Sequence, residues 1–119
     1  MEKVTGIGGF FFRARNPQSL LKWYADNLGV DMSGPPWRQE EGYTVFAPFD
    51  ADTDYFPADR QWMLNFRVND LDAMVDQLKA AGVEILTDPE WNSEIGRFVR
   101  IHDPEGNPIE LWEPATPPG

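Results

Sequence analysis

Residues 66–78, Phe66-Arg67-Val68-Asn69-Asp70-Leu71-Asp72-Ala73-Met74-Val75-Asp76-Gln77-Leu78, restate a plan that begins at Phe12. Phe12-Arg13 and Phe66-Arg67 each end an apolar segment that reads as a strand, residues 7–13 and 61–68. A helix start comes after each. Asn16-Pro17 joins an N-cap to a proline at the first helical position. Asn69-Asp70-Leu71-Asp72 supplies a cap and acids that suit the positive end of the helix dipole. The apolar stripe then recurs: Pro17, Leu20, Leu21 and Tyr24, and 54 positions on Leu71, Met74, Val75 and Leu78. That i, i+3, i+4, i+7 spacing predicts an amphipathic helix with one buried face. Both helices stop at Gly-Val, Gly29-Val30 and Gly82-Val83, where glycine suits a left-handed cap. The offset there is 53, so one residue has been gained or lost. Strand end, cap, stripe and stop agree, and the chain reads as a duplication.

The chain after each helix is strand-like. In the second half, residues 83–87, 95–101 and 108–112 read as strands, the last two joined by a turn at 103–107. The second half is therefore β-α-β-β-β. In the first half, residues 42–49 read as a strand after the breaker Pro35-Pro36. Residues 50–59, with Asp50, Asp52, Asp54 and Asp59, read as a solvated loop with room for a short edge strand; the alternative is a rim that attracts cations. Residues 115–119 are expected to fray. No linker or second domain is visible, so one domain is expected, with unit one at about 5–58 and unit two at about 61–114.

Composition narrows the function. The 119 residues suffice for a core without disulfides. Twenty acids against ten Lys+Arg give a net charge of −10. That balance opposes nucleic acid as a partner, since binding it takes clustered cations. It opposes an anionic membrane surface equally. The absence of Cys excludes thiol nucleophiles and thiolate metal sites. Residues 1–6 lack the basic-then-apolar order of a signal peptide, and a cytoplasmic location is expected.

Two β-α-β-β-β units ending in Asp103-Pro104-Glu105-Gly106-Asn107-Pro108-Ile109-Glu110-Leu111-Trp112 resemble the vicinal oxygen chelate superfamily. This is the group of glyoxalase I, bleomycin-resistance proteins and extradiol dioxygenases. Phe12-Arg13, Trp23-Tyr24 and Leu28-Gly29 add to the resemblance, which covers residues 7–113. It implies an α+β fold: two tandem βαβββ units forming a curled, barrel-like mixed sheet with helices on the outer face and a ligand cavity on the concave one. It implies a homodimer, with units paired within one chain or across two swapped chains. It also implies a divalent metal, held by His, Gln or Glu on the first strand of each unit and by Glu on later strands. Those first-strand positions fall on Gly9 and Met63, and the last-strand acid on Glu110. The remaining ligand belongs in the strand around residues 43–49, which has no His, Asp or Glu. One donor of four is too few for a catalytic metal, so neither a metal nor another cofactor is expected.

Strand parity assigns the cavity face. If Gly9 and Met63 face the cavity, so do Phe11, Arg13, Asn65 and Arg67, while Phe10, Phe12, Leu64, Phe66 and Val68 face the helices. Glu110 and Trp112 point inward on the last strand, as do Phe98, Arg100 and His102 on the one before. Tyr43 joins them at the start of a curling strand. A hairpin centred on Glu105 and Gly106 would set His102 near Glu110. The expected ligand-binding residues are Phe11, Arg13, Tyr43, Asn65, Arg67, Phe98, Arg100 and Trp112, with Glu110 and His102 as the expected catalytic pair. The bland readings are that the arginines pair with acids, that His102 is a surface residue and that Trp112 is core. Aromatic walls with few polar groups suit a flat or partly cationic small molecule, while the arginines suit a carboxylate or other anionic group in the deepest part. The first expectation is thus a metal-free small-molecule-binding protein. The alternative is a glyoxalase-like lyase or isomerase using Glu110 as acid or base, with or without a relocated metal. An interaction module that has lost its site is a third reading.

Overall fold

The structure, a computed structural model, describes residues 1–115. The expected frayed tail lies, beyond Ala115, outside the described residues. Helix α1 spans Pro17–Leu28 and α2 spans Leu71–Ala80, on the two predicted stripes. Each is capped as the sequence implies. Asn16 Oδ1 accepts from the Ser19 N–H at 3.1 Å and Asp70 Oδ1 from the Ala73 N–H at 3.0 Å. Gly29 closes α1 at φ 73°, a left-handed conformation that costs glycine little.

Strands β1 (Leu64–Arg67), β2 (Gly96–His102) and β3 (Pro108–Pro114) form one open mixed sheet in the order β1-β3-β2. β3 runs parallel to β1 and antiparallel to β2. Parity divides the sheet into two faces. On one, Val99, Ile101, Ile109 and Leu111 are buried against Leu20 and Tyr24 of α1 and Leu71 and Leu78 of α2. Phe12, Phe66 and Val68 pack on the margin of that cluster. Leu78, Ile101, Ile109 and Leu111 are fully buried, and burying such side chains stabilises the fold by roughly 1.5–3 kcal/mol each.

The hairpin between β2 and β3 is held by Asp103. Its Oδ1 accepts from the N–H groups of Glu105 at 2.9 Å and Asn107 at 3.0 Å. Its Oδ2 accepts from Asn107 Nδ2 at 2.8 Å and from the Tyr24 hydroxyl at 2.6 Å. Burial, and then the Asp103 carboxylate, push the Tyr24 phenol far above its ordinary pKa, so it stays a neutral donor. The hydroxyl ties a helix from the first half of the chain to a turn in the second.

The first half departs from expectation. Residues 7–13 and 42–49 enter no strand, and residues 83–87 reduce to one bridge, Leu86 to Arg100. The tandem units and barrel-like closure are therefore not formed among the described residues; the three-stranded sheet stays open. A strand needs a neighbour to take its N–H and C=O groups. Segment 7–13 docks by side chains instead: the Phe10 and Phe12 rings meet Trp62 edge-on at 4.8 and 5.5 Å.

Candidate functional site

The face of the sheet away from the helices carries the polar residues. Asn65, Glu110 and Arg100 form one row across β1, β3 and β2, and Arg67, Trp112 and Phe98 form the next. Six of the expected residues thus share one face. Phe98 and Trp112 stack, with planes 2° apart and centroids 6.1 Å apart. The Trp112 indole N–H is held by the Ile95 carbonyl at 2.8 Å.

Glu110 and Arg100 lie at the middle of this face and are almost fully buried, at 7% and 6% exposure. Glu110 Oε1 accepts from Asn65 Nδ2 at 2.7 Å and Oε2 accepts from the Tyr55 hydroxyl. Arg100 donates through Nη2 to the Tyr55 carbonyl at 2.9 Å. Its guanidinium sits 5.1 Å from the Tyr55 ring centre and 5.2 Å from that of Trp91, within cation–π range. Its Nε is buried and has no partner. Burial first, and then the hydrogen bond to Glu110, push the Tyr55 phenol up to about 12.

Tyr55 lies in the acid-rich loop read from the sequence as solvated. The loop folds back on itself, with the Thr53 N–H on the Asp50 carbonyl at 3.0 Å and the Arg60 N–H on the Pro57 carbonyl at 3.0 Å. It lays Tyr55 over the polar row. A cleft of about 540 Å³ runs between residues 52–58 and the Arg100–His102 edge of β2. Sequence reasoning missed Tyr55 and Trp91. The one signal for Tyr55 was an aromatic pair, Tyr55-Phe56, inside an acidic run.

His102, two positions on from Arg100 in β2, shares this face and lines the cleft at its edge; the other expected residues fall elsewhere. Phe11 is 95% exposed and Tyr43 84%. Tyr43 contributes its carbonyl, which accepts from Arg67 Nη1, while Arg67 Nη2 takes the Glu40 carbonyl at 2.9 Å. Arg13 lines a separate cleft with Arg15 and Arg60. His102 is exposed and stands opposite Pro108; the residue opposite Glu110 is Arg100. The hairpin closes as a loop from Asp103 to Asn107, with the Asp103 N–H on the Asn107 carbonyl at 3.1 Å. That moves the pairing by one residue, since the expected hairpin would set His102 opposite Ile109.

A divalent metal does not suit the residues at the positions the fold family uses. Gly9 has no donor, Met63 has only a thioether, and both oxygens of Glu110 are taken by Asn65 and Tyr55. Among the described residues no group of three or more His, Cys, Asp or Glu converges to hold an ion. No helix among them is long and apolar enough to cross a membrane.

Helices on one face of a mixed sheet and a polar, aromatic-bearing opposite face define an α+β fold of the glyoxalase kind. Residues 9–112 match the family described as a glyoxalase-like domain, and the chain belongs to that family, within the vicinal oxygen chelate superfamily. It is 27% identical over 105 residues to "Putative glyoxylase CFP32" of Mycobacterium bovis, and equally to that of Mycobacterium tuberculosis. The match takes in 83% of this chain and 40% of each relative, so the chain spans about two-fifths of the length of these curated relatives. Among solved structures, TnmS3, an antibiotic binding protein from Streptomyces sp. CB03234, shares the fold. Its TM-score is 0.66 at 24% identity, over 97% of this chain and 100% of that one.

Proposed function

We propose that this protein is a metal-independent small-molecule-binding protein whose ligand is a planar aromatic compound carrying a carboxylate or other hydrogen-bond acceptor. The observation that carries the reading is Arg100: buried between two aromatic rings, with an unpartnered Nε, beside a cleft of about 540 Å³. Clefts of roughly 300–1,000 Å³ suit drug-sized ligands. Among the described residues Arg100 has no carboxylate within ion-pair distance, and an oxyanion on the ligand would supply one. Phe98, Trp112, Asn65 and Arg67 lie on the same face of the sheet as Arg100. TnmS3, the antibiotic binding protein that shares the fold, supports the same class of function.

The test is a fluorescence titration with 2-naphthoate, since Trp91 lies against Arg100. Saturable quenching at one equivalent, weakened about tenfold or more in Arg100→Lys, is expected, because lysine lacks the guanidinium fork. Linear quenching in the natural protein, or equal affinity in a folded Arg100→Lys variant, would overturn the reading.

One observation favours a second reading, a lyase or isomerase with Glu110 as acid or base. Glu110 is buried and touches a phenol, a pairing able to pass a proton. His102 would then shuttle protons at the cleft mouth. Glu110→Gln separates the two: loss of turnover with binding retained supports the enzyme. A homodimer in the cytoplasm completes the proposal. Phe11, Phe46 and Tyr43, at 95%, 90% and 84% exposure, would find cover in it. Light scattering after size exclusion at micromolar concentration tests that part; a monomer would refute it.

A further inference from the structure

Arg13, Arg15 and Arg60 line one cleft of about 400 Å³ together with Glu105 and Asn107. Only ten Lys and Arg stand against twenty acids in this chain, yet three of the ten meet here. Their charges are poorly matched. Arg15 Nε lies 3.8 Å from Glu105 Oε1, and Arg60 Nη2 reaches only the Glu105 carbonyl, at 3.1 Å. Among the described residues neither Arg13 nor Arg60 has a carboxylate within ion-pair distance. Glu105 directs its carboxylate to the main chain, accepting from the N–H groups of Arg15 at 2.6 Å and Asn16 at 3.0 Å. Three guanidinium charges and one carboxylate leave the cleft at +2 on a protein of −10. The turn keeps Arg60 close: a side chain at Gly106 would come within 2.9 Å of Arg60 Nη2.

Like charges gathered in one concavity repel each other, and an acidic chain has partners to spare for quenching them. We propose that this cleft is a second binding site, distinct from the aromatic one, that takes a small oxyanion: a phosphate monoester or the carboxylate arm of a small molecule. Guanidinium forks match the paired oxygens of both groups. The site is independent of the aromatic cleft and of any metal.

Inorganic phosphate and acetate are titrated separately into the natural protein at constant ionic strength, following the arginine Nε–Hε resonances. For phosphate, saturable shifts of the Arg13, Arg15 and Arg60 signals are expected, with the remaining Arg15 signal reporting a weakening of about tenfold in Arg13→Gln/Arg60→Gln. Arg38→Gln, which removes an exposed arginine outside the cleft, should leave the affinity unchanged. Saturation by phosphate alone assigns a phosphate ligand, and saturation by acetate as well assigns a carboxylate arm. Should the double variant lose its far-UV spectrum, the exposed Arg13→Gln single variant carries the same comparison. Shifts that rise linearly, or that are the same in folded cleft variants and in the natural protein, would overturn the proposal.

Discussion

Replacing Tyr24 by Phe removes one hydroxyl from the interior and leaves the ring in place. The ring contacts with Phe12, Trp23 and Phe66, at centroid distances of 6.5, 5.1 and 6.3 Å, are retained. The loss is the 2.6 Å hydrogen bond to Asp103, which is itself only 4% exposed. Asp103 keeps its three other donors, the N–H groups of Glu105 and Asn107 and the Asn107 amide. A hydrogen bond to a charged group contributes roughly 1.5–3 kcal/mol, and with three donors remaining the carboxylate is not abandoned. The expected loss is therefore about 2 kcal/mol, in the lower half of that range. Urea denaturation monitored by tryptophan fluorescence at neutral pH measures it, with the slope against urea unchanged. A cycle through Asp103→Asn and the double variant should show a coupling of about 1–2 kcal/mol. A loss under about 0.5 kcal/mol, or strict additivity in the cycle, would refute the idea that this hydroxyl ties α1 to the hairpin.

Three further outcomes are expected. The N–H groups of Asn16 and then Arg15 hold the Glu105 carboxyl below the ordinary glutamate value. Its stabilisation is therefore present above about pH 4.3, the unfolded value, and is lost as pH falls through the lower folded value. Glu105→Gln should flatten the acid limb of stability against pH, as read by thermal melts below that point. The Tyr55 phenol, pushed up to about 12, stabilises the fold below the unfolded value of about 10 and ceases to do so as pH rises through the folded value. Phenolate absorbance should show this late ionisation moving down in Glu110→Gln. Leu78→Ala, at a fully buried position between α2 and the sheet, should cost about 3 kcal/mol in urea denaturation.

The helices, their caps and the two-faced sheet of the second half were legible because each arises from local periodicity. The stripe of Leu71, Met74, Val75 and Leu78 can bury only one face of one helix. Alternation around Val99, Ile101, Ile109 and Leu111 forces Phe98, Arg100, Glu110 and Trp112 to the other side of the sheet. The acidic balance and the poverty of metal donors at Gly9 and Met63 were equally plain. Long-range pairing was not. Whether residues 7–13 join a ladder depends on a partner strand, which no local pattern specifies. The Asp103 network determined which residue faces Glu110, placing Arg100 there and His102 beyond it. Tyr55 reached Glu110 across 55 positions of chain, through a loop whose acids pointed only to water. Local sequence sets which face a side chain takes, because backbone geometry repeats over a few residues. Only the tertiary structure sets which distant side chain it meets, because that depends on how loops close and which surfaces they cover.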